Sequence, residues 1–456
     1  MLINVTAADL ARAAGGMITK GDPEQPIGCI SLDSRSGLEP DGLFVPIPGA
    51  KTDGHRYIAG AAAAGAKTVI YSEECDLDSA DITWIRVEDT TEALQAFGRY
   101  LRAKVTAPVA CVAGSVGKTT TREMTALALS GRYKTFCTQK NFNSQLGVPI
   151  MVSRIPEDAE AVVLEVGISE FHEMEKIAPV AAPDMTIYTN IGVSHIENLK
   201  TRENIFTEKF KLAQAMKPGS PLILNGDNDL LSKVDASCGY RILFYGFGEN
   251  NDVRAFNLRE EDSYSVFDAD VCGHPVTVRL QMAGRHMVMN ALAALAAAYV
   301  WDVPLEAAAE KLTTFIGFAG RQKIRKSNGY RVIEDFYNAS PDSMKAALSV
   351  LSEMSCSGKR VAVLADMKEL GEREVEFHRE VGEYAADKGV SVLVCVGALG
   401  REIGLAAKEK NPAIEVAFFD NNKEAALYTK ECLTEGDLVL LKGSNSMKLS
   451  EVSEEL

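Results

Sequence analysis

The chain has 456 residues, 46% of them hydrophobic and 24% charged, with a formal net charge of −15. That composition belongs to folded globular proteins and excludes a disordered chain; no apolar run is long enough to span a bilayer. The acidic balance argues against a nucleic-acid partner, whose phosphates need clustered Lys and Arg, but a local basic cluster still allows a small phosphate-bearing substrate. At about 150 residues per domain the length fits roughly two to four domains, with three as the working number. The nine cysteines are odd in number, scattered and without a C-x-x-C pair, so they read as small core residues in a reducing compartment. The opening MLINVTAADLARAAGG lacks a basic stretch ahead of an apolar core and reads as a short helix over 7–14 rather than a secretory signal, which predicts a cytoplasmic protein.

Residues 1–105 alternate short apolar runs, 42–46 and 68–71, with an alanine-rich helix over 59–66 and a further helix near 92–104, which predicts a small α/β domain. Thr106-Ala-Pro108 is a natural hinge, and the first boundary falls there. Strands are then predicted at 109–113, 161–166, 185–190 and 221–225. They alternate with helical stretches and imply a parallel sheet covered on both faces. Period-two segments between about 252 and 280 suggest a small antiparallel insertion, and a long alanine-rich helix follows from about 287 to 300. The second boundary is placed near Gly320-Arg321. Beyond it, strands at 330–334, 360–365, 391–396 and 438–441, each but the last followed by a helical stretch, predict a third domain of Rossmann-like type. The fold class is therefore α/β in three domains, 1–105, 106–321 and 322–456, with a central P-loop parallel-sheet ATPase domain and a Rossmann-like C-terminal domain.

The segment 109–124 reads as a buried strand, a glycine turn and a helix beginning near Lys118. Glycines at 114 and 117 let backbone N–H groups of Ser115, Val116 and their neighbours close around phosphate oxygens. Lys118 reaches the terminal phosphates, and Thr119, followed by Thr120, offers a hydroxyl to Mg²⁺. ATP or GTP is the expected ligand. The strict G-x-x-x-x-G-K-[ST] pattern is broken, because Val112 stands where its first glycine would be. Two further acids and bases stand out from the residues alone. Glu165 ends an apolar strand, where a carboxylate needs a metal or an ion-pair partner. Lys209 shares an inward stripe with Ile205, Leu212 and Met216 on a helix predicted over 203–217, and either snorkels to solvent or has a buried role. A P-loop switch or binding module without ligase activity fits the loop as well.

The shortened loop G-[ST]-x-G-K-T-T resembles that of the Mur ligase family, and motifs in all three domains resemble its D-alanyl-D-alanine-adding branch, the MurF type. They are KNFNSQLGVP at 140–149, LEVG at 164–167, NIGVSH at 190–195, DFYNAS at 335–340, LADMKELG at 364–371 and LKGSNSM at 441–447. The resemblance implies an ATP-dependent amide ligase that joins D-alanyl-D-alanine to UDP-N-acetylmuramoyl-tripeptide through an acyl phosphate, as a monomer without nucleic acid or membrane insertion. It implies ATP as the nucleotide, with Asn290, Arg321, Asp335, Tyr337 and Asn338 as further contacts; Arg321 can equally form an interdomain salt bridge. It implies two Mg²⁺ ions on Thr119, Glu165, His195 and a carbamylated Lys209, and it makes Lys118, Lys209 and His195 the catalytic set. Ser31, Ser34, Arg35, Lys51, Thr52, Asp53 and His55 are implied at the UDP-sugar end, although as residues alone they read as ordinary turns. Asn141 and Asn143, with Gln145, are implied in the muramoyl-peptide channel. Asp366, Lys442 and Ser444 are implied at the incoming dipeptide.

Overall fold

The structure, a computed structural model, describes residues 4–35, 40–49, 52–78, 80–261 and 264–456. Lys51 lies outside the described residues. Three sheets of five, nine and six strands follow one another along the chain. The first runs in the order Met17–Lys20, Thr83–Arg86, Ala66–Tyr71, Gly42–Phe44, Cys29–Ser31, parallel except for its first pair. The alanine helix is shorter than its sequence suggests: it spans Ile58–Ala63, because Gly65 turns the chain at φ 114° and Ala66 already pairs with Gly42.

The nine-stranded sheet runs His274–Leu280, Tyr264–Val271, Val253–Glu261, Arg241–Gly246, Pro221–Asn225, Met185–Tyr188, Val109–Ala113, Ala161–Glu165, Thr135–Cys137. The segment expected as a separate antiparallel insertion extends this sheet instead. Val253 pairs in parallel with Tyr245, and the two following strands fold back antiparallel beyond it. Helix Arg285–Val300 buries an almost unbroken alanine and leucine surface. Such small side chains allow close approach to helix Lys118–Leu129, whose Thr121 hydroxyl donates to Asn290 Oδ1 at 3.0 Å. Gly98, on helix Thr90–Arg102, marks an equally close contact between the first and second sheets' layers. A Cβ there would lie 2.8 Å from Val180 and 2.9 Å from Pro149.

The helix predicted over 203–217 also ends early. It spans Arg202–Phe210, and a 3-10 turn follows at Ala213–Ala215. The buried Tyr188 hydroxyl donates to Lys209 O at 2.8 Å and accepts from Ala213 N at 3.3 Å, so it sits between the two groups that the next helical bond would join. The inward stripe survives this break: Ile205, Lys209, Leu212 and Met216 are all buried.

The third sheet runs Lys323–Ser327, Tyr330–Glu334, Leu438–Lys442, Arg360–Ala365, Val392–Val396, Glu415–Phe419, parallel except for its first strand. Its last strand is followed by a helix after all, Ser450–Glu455, whose Val452 joins the core. Val193 and Ile196, from the segment after Met185–Tyr188, pack into this third core.

Candidate active site

In the central sheet, strand Val109–Ala113 lies between Ala161–Glu165 and Met185–Tyr188. The chain leaves it to opposite sides, and the crevice at the strands' carboxyl ends is where an open α/β sheet places its ligand. The glycine turn sits there. Gly114 has φ 142°, and a Cβ on it would lie 2.0 Å from Thr189 Oγ1; Gly117 has φ 86° and caps helix Lys118–Leu129. The segment after Met185–Tyr188 leaves the sheet early to hold this turn. Ser115 N donates to Asn190 O at 2.9 Å and Val116 N to Asn190 Oδ1 at 2.8 Å. Thr189 Oγ1 donates to Val116 O at 2.6 Å, and Gly192 N to Ser115 Oγ at 3.0 Å. Lys118 Nζ folds back onto Gly114 O at 3.0 Å and Ser115 O at 3.2 Å. Thr119 is half-buried and Thr120 buried in the first helical turn. Asn290 reaches the turn from the alanine-rich helix, its Oδ1 2.9 Å from where a Gly117 Cβ would stand.

Beside the turn, Glu165 is 2% exposed. Its Oε1 accepts from Asn143 Nδ2 at 2.7 Å; its Oε2 has Arg122 Nη1 at 3.6 Å and no hydrogen-bond partner. The ion pair expected of Glu165 is thus present but long, and it leaves one buried carboxylate oxygen without a hydrogen bond. Lys209 is buried. Desolvation pushes its pKa well below the usual lysine value and nearby Lys118 lowers it further, against the pull of Glu173. Burial lowers the Lys118 pKa too; the charge of Glu165 raises it and that of Arg321 lowers it. Lys118, Glu165, Lys209 and Arg321 thus lie within one electrostatic neighbourhood.

The third sheet closes one side of this crevice. His195, at φ 63°, turns its Nδ1 toward the Glu369 carboxylate, although the approach falls off the hydrogen-bonding direction. Proximity to His195 holds the Glu369 carboxyl below its usual range. Glu197 N donates to Glu369 O at 3.2 Å. The guanidinium of Arg321 lies 4.0 Å over the Tyr337 ring, a cation–π contact. The Asp335 carboxylate pairs with Lys442, which also bonds the backbone carbonyl of Asn338, while the Asn338 residue itself is exposed and its Oδ1 accepts from Ala339 N at 2.9 Å. Asp366 accepts from Leu399 N at 3.0 Å and Gly400 N at 2.8 Å and pairs with Lys368 at 2.8 Å, while Ser444 Oγ accepts from Lys368 N at 2.9 Å.

Family comparison matches residues 26–101 to the "Mur ligase family, catalytic domain", 112–298 to the "Mur ligase middle domain" and 320–445 to the "Mur ligase, glutamate ligase domain". The UDP-N-acetylmuramoyl-tripeptide--D-alanyl-D-alanine ligase of Bacillus subtilis is 33% identical over 457 residues, covering 100% of this chain and 99% of its own. The chain belongs to the Mur ligase family. MurF from Acinetobacter baumannii matches the fold of this Mur ligase at a TM-score of 0.91 and 29% identity, over 100% of this chain and 99% of that one. MurF from Thermotoga maritima, solved in complex with ADP, matches at 0.81 and 25% identity, over 94% and 97%.

In the first sheet's loops this Mur ligase engages the expected residues largely with one another. Ser31 Oγ accepts from Asp33 N at 3.1 Å, and Arg35 forks onto the Asp33 carboxylate with both distances 2.9 Å. Ser34 lies half-buried between them. Thr52 Oγ1 meets Tyr57 OH at 3.2 Å. His55 lies between Asp53 Oδ1 at 2.6 Å and Ser72 N at 3.1 Å. Asn141 is exposed, and Gln145 Oε1 accepts from Gln95 Nε2 at 3.4 Å. Sequence reasoning gave no role to Arg122, Thr189, Glu369 or His378. Arg122 carried a signal in standing four residues after Lys118 and so on the same helix face, and Glu369 in lying within the LADMKELG motif at 364–371. His378 is fully buried; its Nε2 accepts from Met367 N at 2.8 Å and its Nδ1 meets Glu374 O at 2.6 Å, which fixes the ring neutral and holds the 366–371 loop.

Proposed function

We propose that this chain is the ATP-dependent ligase that joins D-alanyl-D-alanine to UDP-N-acetylmuramoyl-tripeptide, giving the UDP-muramoyl-pentapeptide precursor of peptidoglycan. The observation that carries this reading is the full-length likeness to the B. subtilis ligase, combined with a glycine turn whose lysine shares its surroundings with Glu165 and Lys209. We assign the UDP-sugar to residues 1–105, ATP to 106–321 and the dipeptide to 322–456, one sheet each. The working unit we propose is a monomer. The nine scattered cysteines, odd in number and without a C-x-x-C pair, support a cytoplasmic setting.

A carboxylate is a poor electrophile, so the tripeptide's terminal carboxylate first attacks the γ-phosphorus of ATP, the bond to the β,γ-bridging oxygen breaks, ADP leaves and the carboxylate becomes an acyl phosphate. Two anions meet in that step. The loop amides, the helix N-terminus and Lys118 offset their charge. The free amine of the dipeptide then attacks the acyl carbon, and the tetrahedral intermediate expels phosphate. The side chains fit Mg²⁺: Glu165 keeps one buried oxygen without a hydrogen bond, and Thr119 and His195 lie beside the same crevice. Among the described residues no three His, Cys, Asp or Glu form a ready-made cage, consistent with an ion that takes one or two carboxylates and completes its shell with phosphate and water. When bound, Mg²⁺ supplies charge neutralisation on the transferred phosphoryl group. Lys209, buried and with its charged form disfavoured, is the amine suited to take up CO₂ as a carbamate, which would turn a costly buried cation into an anionic ligand.

The test couples phosphate release to product mass. Phosphate should appear only with UDP-muramoyl-tripeptide, ATP and D-alanyl-D-alanine together, and the product should carry the added dipeptide. Phosphate release indifferent to the dipeptide would instead mark an NTPase switch. Running lysine- and diaminopimelate-containing tripeptides in parallel identifies the third residue. Intact mass of the active enzyme reads the Lys209 adduct directly; an unmodified lysine there removes the carbamate.

A further inference from the structure

Lys442 ends strand Leu438–Lys442 and is 2% exposed. Its place in the LKGSNSM motif directs it, by resemblance, to the incoming dipeptide. Its contacts point elsewhere. Lys442 Nζ donates to Asp335 Oδ2 at 2.6 Å, to Asp335 O at 3.1 Å and to Asn338 O at 3.1 Å. A lysine ammonium has three donors and no acceptor, so these bonds use its whole capacity and leave nothing for a ligand. Sheet topology explains the meeting: Tyr330–Glu334 and Leu438–Lys442 are parallel neighbours, so Asp335 and Lys442 emerge side by side. The same segment grips the same turn twice more, through Asn445 Nδ2 on Tyr337 O at 3.2 Å and Leu441 O on Asp335 N at 3.0 Å. The turn thereby held carries Tyr337, which stacks under Arg321 and whose N–H donates to Gly320 O at 2.9 Å.

We propose that Lys442 is a positioning residue of the nucleotide site: it fixes the 335–338 turn against Arg321 and makes no contact with the dipeptide. The Asp335 side chain is 20% exposed where that of Lys442 is 2%, so the carboxylate keeps an edge for a ligand while the lysine behind it is sealed. Removing the lysine leaves that carboxylate without its buried partner, free to turn away. This inference rests on the ligase reading above, in which Asp335, Tyr337 and Asn338 contact ATP.

Calorimetry with ADP and steady-state kinetics in D-alanyl-D-alanine test it on the full chain. Lys442→Gln keeps two donors for the carbonyls of Asp335 and Asn338 but loses the charge; Lys442→Met loses both and is the harsher variant. For Lys442→Gln we expect the ADP dissociation constant and the KM for ATP to rise about tenfold, the loss of one charged hydrogen bond, with the KM for the dipeptide within about twofold of wild type. Should Lys442→Met fail to fold, the Gln variant alone decides. A raised dipeptide KM with unchanged ADP affinity overturns the proposal and returns Lys442 to the dipeptide. Equal loss on both substrates, or on neither, overturns it as well. Asp335→Ala separates this from the parent reading: unchanged ADP binding in that variant removes the turn from the nucleotide site altogether, whereas weakened binding there with no effect at Lys442 removes only the positioning role.

Discussion

At Gly114 the backbone and the neighbours demand the same thing. With φ at 142° and Thr189 Oγ1 2.0 Å from any Cβ, alanine must strain the turn and displace the hydroxyl that holds Val116. Gly114→Ala is therefore expected to cost at least about 2 kcal/mol, read from the urea midpoint, and to abolish ADP binding. His378 gives a prediction in pH. Its pKa is lowered from 6.5, chiefly by burial, with Asp366, Glu374 and Lys368 as the charges nearby. As pH falls the unfolded chain takes up that proton first. The stability from the neutral ring is thus complete above 6.5 and is lost as pH drops through the lower folded value. Wild type should lose melting temperature over that acid window more steeply than His378→Gln, whose amide can hold Met367 N without titrating; parallel curves would contradict the role. Sequence could place Gly114, because a strand, a glycine and a lysine recur in fixed order. It could not place His378, because the backbone groups that hold its ring belong to a loop eleven residues upstream and to its own helix, and neither spacing signals chemistry.

Elements that bury continuous apolar runs were legible from the sequence: Val109–Ala113, Pro221–Asn225, Tyr330–Glu334 and Arg360–Ala365 stand where they were predicted. Short or polar edge strands such as Met17–Lys20, Thr135–Cys137 and Lys323–Ser327 carry too little pattern to announce themselves, and their partners alone define them. The end of helix Arg202–Phe210 shows a further limit, since a hydroxyl from a distant strand sets it. Tyr188→Phe removes that hydroxyl and leaves Lys209 O and Ala213 N to find each other. We expect a loss of about 1–2 kcal/mol, because the aromatic ring stays buried and only its hydrogen bonds go. The more telling readout is ligation. Any regained helical turn moves Lys209, so kcat should fall while the ADP dissociation constant, set by the glycine turn, stays within about twofold of wild type. An intact kcat would mean that the helix end and the Lys209 position are independent.

Across the whole molecule, catalysis by this scheme requires the third sheet to sit against the second, and the contacts that bring them together divide by kind. Val193 and Ile196 supply apolar burial in the third core, which favours docking without directing chemistry. Glu369 instead meets His195, a proposed metal ligand, with its own side chain 52% exposed. An exposed ion pair contributes little to stability, so Glu369→Gln is expected to change the unfolding free energy by less than about 1 kcal/mol. Its effect on the reaction should be much larger. A carboxylate beside a metal-binding imidazole sets the ring's orientation and basicity, and losing such a partner weakens metal binding by roughly 10–100-fold. Titrating the nucleotide-bound variant with Mn²⁺ and following its paramagnetic signal reads that affinity without relying on turnover. Weakened Mn²⁺ binding at unchanged stability would show that docking of the third sheet completes the metal site. Unchanged binding would reduce the Glu369–His195 contact to a surface ion pair and leave the apolar anchors alone to couple the two sheets.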